Sequence, residues 1–239
     1  MPIIYLTILT IFAATVGTLT GFGSSTIMIP VLLIFFPLPQ TLLLAGIVHL
    51  FNDIWKLALF RKGIRWKLIL GFGIPGILFS IIGASLAIRA PEELLSRILG
   101  AFLIGYVIFL FLKPKFKVKQ NNSFAMTGGA LSGFLAGVFG IGGAVRSAFL
   151  TAFDLPKAIY LATAGAIALA IDTTRLITYY NGGVRLEGML LWGLLIFILA
   201  SFIGARIAQK LVNKIPQKYF RFIIAVFIFV FGIKLIFLP

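Results

Sequence analysis

The residues of this chain that could do chemistry are few, and they fall where charge is costly. Asp53 and Lys56 stand three apart inside one long apolar run, and Asp172 and Arg175 repeat the arrangement inside another. That spacing puts each acid and its cation on one helix face. A lone charge near a bilayer centre costs upwards of about 2.5 kcal/mol, so such residues pair, face a polar cavity, or both. The alternative is a neutral pair near a helix end, with Lys56 or Arg175 snorkelling to the interface. His49 lies one turn before Asp53, with Asn52 nearby. A buried imidazole there is either a proton carrier or a structural hydrogen-bond donor, which makes His49, Asp53 and Asp172 the candidates for proton or ion coupling.

Two Gly-rich breaks complete the set. Gly21-Phe22-Gly23-Ser24-Ser25-Thr26 and Gly140-Ile141-Gly142-Gly143 each separate two apolar segments. Backbone groups freed at such breaks need partners, so the breaks belong inside the protein rather than against lipid. A helix that starts after a break offers free N–H groups and a positive dipole end, a seat for an anion. Gly23, Ser24, Ser25, Thr26, Gly142 and Gly143 are therefore candidate substrate contacts, with Lys56, Arg175 and Arg146 as candidate cations. A plain tight turn between packed helices is the alternative. Arg146 lies one turn past Gly142-Gly143, where a cation opposes the helix dipole unless an anion sits between them. Its guanidinium matches sulfur and phosphorus oxyanions; otherwise it partners Asp53 or Asp172. The literal G-x-G-x-x-G at Gly71–Gly76 sits within an apolar span without a preceding strand, and reads as a packing element. Ala13, Gly17 and Gly21, and Gly129, Gly133 and Gly137, recur every fourth residue, the spacing that lets helices approach closely.

The elements that hold these residues must be membrane helices. Of 239 residues, 61% are apolar and 11% charged, with a mean hydropathy of +1.12. A soluble domain carries roughly 45–50% and about 25%. The net charge of +15 comes from short connections, not from a soluble basic face, so no nucleic-acid partner is expected. With no Cys and one His, no metal, no cofactor and no catalytic constellation is expected, and the chain does not read as an enzyme. Apolar runs cover approximately 3–20, 24–36, 40–60, 66–89, 93–112, 124–138, 141–153, 156–180, 186–209 and 216–238. Most are long enough for a span of about 20 residues, whereas 24–36 and 141–153 are short enough to be re-entrant. The fold class is all-α integral membrane protein.

The chain also reads as a duplication. Gly21–Ser25 lines up with Val138–Gly142 and Pro39 with Pro156; Asp53, Lys56 and Gly63 match Asp172, Arg175 and Gly182; Gly83-Ala84 matches Gly204-Ala205. This gives a first membrane repeat over 1–112, a Lys-rich linker over 113–123 and a second repeat over 124–239. Arg61, Lys62, Arg65 and Lys67, then Lys113–Lys119, then Lys210, Lys214, Lys218 and Arg221 crowd three connections. The positive-inside rule makes these cytoplasmic and both termini external. Each repeat then crosses an odd number of times, so the two are inverted, an architecture characteristic of transporters. A non-transporting scaffold explains the fold and loop charges equally well, but does not require charged pairs in both repeats.

At these residues the chain resembles the TauE/SafE family of sulfite and organosulfonate exporters. The resemblance rests on the opening helix ending in Gly21-Phe22-Gly23-Ser24-Ser25 followed by Pro30, on Phe139-Gly140-Ile141-Gly142-Gly143, on Gly83-Ala84 and Gly204-Ala205, and on the Lys-rich linker. Ala144-Val145-Arg146 departs from the family pattern, which places a Pro there. The resemblance implies a plasma-membrane carrier of small sulfur anions such as sulfite, thiosulfate or sulfonates. It would work by alternating access between inverted halves, ion- or proton-coupled, and is compatible with a homo-oligomer.

Overall fold

The computed structural model describes residues 3–60, 63–112, 121–151, 153–212 and 217–237. Most of the expected linker (residues 113–120), Arg61, Lys62, Lys214, Pro216 and Pro239 lie outside the described residues. Among the described residues the chain forms eleven helices and no strand. They are α1 (Ile3–Thr20), α2 (Ser25–Leu32), α3 (Leu38–Leu59), α4 (Trp66–Arg89), α5 (Glu92–Leu112), α6 (Asn122–Phe139), α7 (Gly142–Thr151), α8 (Lys157–Asn181), α9 (Gly188–Trp192), α10 (Leu194–Leu211) and α11 (Gln217–Phe237). Five of them (α1, α3, α4, α8 and α10) are long and apolar enough to cross a membrane. Side chains such as Ile74, Leu78, Leu195 and Leu199 point outward from these helices, as lipid rather than water would require. The protein is a multi-pass membrane protein.

Helix ends follow local chemistry. Asn121 caps α6 by accepting from the Phe124 N–H at 2.7 Å, and Gly140 ends it in the left-handed region at φ +71°, where a Cβ would be strained. Pro37 and Pro156 occupy the N-caps of α3 and α8, where a missing N–H costs nothing. This revises the expected pairing of Pro39 with Pro156: the matching proline is Pro37. A constant spacing of 119 residues then relates the ends of α1 and α6, the starts of α3 and α8, Asp53 and Asp172, and Lys56 and Arg175. The two-residue drift is taken up within the breaks, because the first has four non-helical residues and the second two. The run at 186–209, expected to be continuous, divides at Gly193. A Cβ on Gly193 would stand 2.6 Å from the Phe197 ring, while backbone bonds from Gly193 to Met189 and from Phe197 to Gly193 carry the chain across.

Packing is closest where side chains are absent. Cβ atoms on Gly129, Gly133 and Gly137 of α6 would fall 2.2, 2.1 and 2.4 Å from the carbonyl oxygens of Phe72, Gly76 and Ser80 on α4, so the glycine stripe lets these two backbones touch. Gly71, facing Ala125, and Gly76, facing Gly129, belong to this seam. On the far side of the molecule α1 packs on α10, with Gly204 against Ile11. The main pairings are α1 with α10, α4 with α6, α3 with α8, α5 with α11, α3 with α10 and α4 with α8. Exchanging α1, α3, α4 and α5 with α6, α8, α10 and α11 leaves that set unchanged.

One end of the molecule, the basic end, carries Arg65, Lys67 and Lys157. There the Arg65 N–H donates to Thr163 at 3.2 Å, Gln209 donates to the Leu59 carbonyl at 2.9 Å and Lys157 donates to the Val212 carbonyl. At the opposite end the Leu38 N–H donates to Glu92, and Gly182 meets Ile88.

Candidate functional site

The charged residues of α3 and α8 form one chain of contacts through the centre of the molecule. Lys56 pairs with Asp53, His49 Nδ1 stands 3.3 Å from Asp53 and is hydrogen-bonded to Asp172, and Arg175 Nε donates to Asp172 at 2.6 Å. The order is Lys56–Asp53–His49–Asp172–Arg175, with charges that alternate and cancel when the imidazole is neutral. None of these side chains is more than 5% exposed. Lys56 and Arg175 therefore do not snorkel; burial at this depth explains why both are paired.

The two breaks close on this chain and on each other. Gly23 lies in the left-handed region at φ +86°, and a Cβ there would stand 2.1 Å from His49 Nε2; only glycine admits the imidazole. Gly143 of the second break is pressed on the Phe22 carbonyl of the first, 2.0 Å from its would-be Cβ. Arg175 Nη1 lies beside Gly140, and both Arg175 Nη atoms lie beside Gly46 of α3. Arg146, on α7, is buried with its Nη2 3.5 Å from the same Cβ position on Gly143. The structure thus brings together Gly23, Ser24, Ser25, Thr26, His49, Asp53 and Lys56 from one region and Gly142, Gly143, Arg146, Asp172 and Arg175 from the other.

Their hydrogen bonding is lopsided. Ser24 Oγ, Ser25 Oγ, His49 Nε2, Asn52 Nδ2, Arg146 Nε and Arg175 Nη1 and Nη2 are buried with no hydrogen-bond partner. Asp53 faces Lys56 and His49 without hydrogen-bond geometry to either. An unpaired buried donor costs about 1–3 kcal/mol, more if charged, so a cluster of them is a place built for an acceptor-rich guest. Thr26 differs from its neighbours, since its hydroxyl donates to the Phe22 carbonyl at 3.0 Å and so braces the break. Donor atoms of His49, Asp53 and Asp172 lie within 4.8 Å of one another, close enough to share a cation. Lys56 and Arg175 each already pair with one of the two carboxylates.

Spacing alone does not single out three further residues. Tyr179, one turn after Arg175 on the same face, donates to the Gly137 carbonyl and ties α8 to the end of α6. Ser147 and Tyr160 share a hydrogen bond of 2.6 Å beside the first break. The i, i+4 relation to Arg175 is the one signal that points to Tyr179; a hydroxyl next to Arg146 is the only sign of Ser147.

A family model described as sulfite exporter TauE/SafE matches residues 6–235. The chain belongs to the TauE/SafE family. A probable membrane transporter protein of Methanocaldococcus jannaschii is 26% identical over 245 residues, covering 91% of this chain and 89% of that relative. Membrane transport is the activity both findings support, and it agrees with a donor cluster enclosed within a bundle of apolar helices.

Proposed function

We propose that the chain carries small sulfur oxyanions (sulfite, thiosulfate or sulfonates) across the plasma membrane by alternating access. The anion sits between the breaks, held by Ser24 and Ser25, the backbone N–H groups that open α7 at Gly142 and Gly143, and the guanidinium groups of Arg146 and Arg175, while Gly23, its own N–H bonded to the Gly17 carbonyl, leaves room for His49 beside the seat. Lys56 pairs with Asp53, and Thr26 braces the first break. The observation that carries this reading is the set of buried donors without partners, with Ser24, Ser25 and Arg146 near the starts of α2 and α7, His49 Nε2 against Gly23 and the Arg175 guanidinium beside Gly140. Residues 1–112 and 124–239 act as inverted repeats about this seat, with the basic end and residues 113–123 cytoplasmic and both termini external. Support comes from the shared 119-residue spacing, from helix pairings unchanged when the two sets are exchanged, and from the Lys and Arg residues that the sequence places in three connections, with Arg65 and Lys67 beside Asn121 and Asn122 around one cavity.

Proton coupling follows from the two faces of His49. Nδ1 lies beside two carboxylates, those of Asp53 and Asp172, while Nε2 faces the first break without a partner. A coupled proton carried at Nε2 adds a donor and a positive charge on the side of the anion seat. Proton and anion favour each other's binding.

The test is flux into proteoliposomes of radiolabelled sulfite and thiosulfate, with empty vesicles as reference. Saturable uptake is expected, lowered about tenfold to a hundredfold in Arg146→Ala, as the loss of a charge-assisted hydrogen bond worth about 1.5–3 kcal/mol predicts. No flux of any sulfur anion from folded protein would discard the substrate class; full flux in the variant would discard the seat.

A further inference from the structure

The two ends of the molecule are closed by different chemistry. Toward the basic end, Tyr160 in the first turn of α8 lies over the first break, its hydroxyl 2.7 Å from a would-be Cβ on Gly21. That hydroxyl is hydrogen-bonded to Ser147 of α7, the residue after Arg146, at 2.6 Å. Tyr160 is only half-buried and packs in one apolar cluster with Phe153 and Leu155. Those two residues also line a cavity of about 560 Å³ at this end, together with Arg65, Lys67, Asn121 and Asn122. Toward the opposite end, the second break is covered by hydrocarbon, with Ile29 Cδ1 and Leu42 Cδ2 2.4 and 3.2 Å from a would-be Cβ on Gly140. The position 119 residues before Tyr160 is Thr41, and α2 offers Met28 and Pro30 where α7 offers Ser147. Met28, Ile29, Leu42 and Thr41 are all essentially without exposure.

We infer that the Tyr160–Ser147 hydrogen bond is the gate between the central seat and the basic end, and that this end opens first from the closed state seen here. The hydroxyl pair joins the residue next to Arg146 to an apolar cluster that borders the cation-lined cavity. Opening the other end means parting a buried apolar seam, which exposes hydrocarbon. Breaking the hydroxyl pair exposes polar groups that water satisfies, so a rotation of Tyr160 away from Gly21 clears the path without unpacking the helices. Ser147 adjoins Arg146, so movement of a bound anion against Arg146 is felt directly at the gate. The inference rests on the reading of the two breaks as the anion seat.

The chain has no cysteine, so Ser25→Cys creates a single reporter inside the seat. Its labelling by a charged, membrane-impermeant methanethiosulfonate is followed from each side, in oppositely oriented vesicles and without any anion substrate. Adding Tyr160→Phe or Ser147→Ala is expected to speed labelling from the basic side at least fivefold. The double variant should equal either single one, because both remove the same bond. Labelling from the opposite side should not change, nor should Thr41→Val alter either rate. Unchanged rates in both gate variants, or acceleration from the opposite side, would overturn the gate. Because the readout needs no transport, a working gate with no sulfur-anion flux would instead tell against the proposed substrate.

Discussion

The two breaks occupy matching places and carry opposite chemistry. The first supplies neutral donors, Ser24 and Ser25, and stands against the imidazole of His49. The second has glycines in the corresponding stretch, Gly142-Gly143, and then Arg146, while α2 carries no charged residue at all. On the helices behind them the difference recurs: 119 residues beyond His49 and Asn52 stand Ala168 and Ile171. Only the acid–cation pairs are common to both. The two regions share a buried Asp with its cation. They differ in carrying fixed positive charge on one side and hydroxyls with an imidazole on the other. Such asymmetry suits the proposed carriage of an anion with a proton, since two identical half-sites would offer no separate place for each.

The largest effect should come from breaking the likeness of the two acids. Asp172 receives hydrogen bonds from both Arg175 and His49, and Arg175 is wholly buried. Asp172→Ala strands that guanidinium, which cannot shed its proton, and should lower stability by about 3–5 kcal/mol. Asp53→Ala strands Lys56, an amine that can become neutral, and should cost about 1–3 kcal/mol. Thermal unfolding of the two variants in one detergent, read as ΔTm from wild type, checks the order. Equal losses would mean that the pairs are equivalent and that the central His49–Asp172 bond adds nothing.

A smaller effect separates the imidazole from the rest. A coupled proton held at the Nε2 that faces the seat favours the anion there, so anion KM should fall as pH falls. Gln in place of His49 fills similar space and keeps a hydrogen-bonding group, but cannot take up a proton. Uptake by His49→Gln should lose most of its pH dependence while its rate at the alkaline limit stays within a few-fold of wild type. A pH profile unchanged in the variant would move proton coupling to Asp53 or Asp172.

Much of this arrangement is legible in the sequence, and the reasons for the rest are physical. Asp53–Lys56 and Asp172–Arg175 announce themselves because charge in an apolar run demands a partner, and glycine pairs announce a break because no other residue takes a left-handed turn cheaply. Whether Arg146 joins an acid or faces a guest is a tertiary question: no spacing along α7 says what α3 and α8 present to it. The His49–Asp172 bond, 123 residues across the chain, is invisible for the same reason. Tyr160 is missed because a tyrosine in the first turn of a membrane helix is also what an interface belt would supply. The misaligned proline shows a different limit. Pro37 and Pro39 both suit the start of a helix, and only the observed N-cap decides between them.

The smallest effects lie in the hydroxyls of the first break, and they test the division of labour most finely. Ser24 Oγ and Ser25 Oγ are both buried and free of partners, whereas the neighbouring Thr26 hydroxyl is engaged with the Phe22 carbonyl. Removing a hydroxyl that only a guest uses costs the empty protein nothing and should even relieve it. Ser24→Ala and Ser25→Ala are therefore expected to leave Tm unchanged or slightly raised while raising anion KM about twofold to tenfold, the worth of one neutral hydrogen bond of about 0.5–1.5 kcal/mol. Thr26→Val should show the reverse, lowering Tm with little effect on KM once folded protein is counted. Should the serine variants instead lose stability and keep KM, the hydroxyls belong to the fold. The first break would then contribute only its backbone and His49, and the burden of recognition would rest on Arg146 and Arg175.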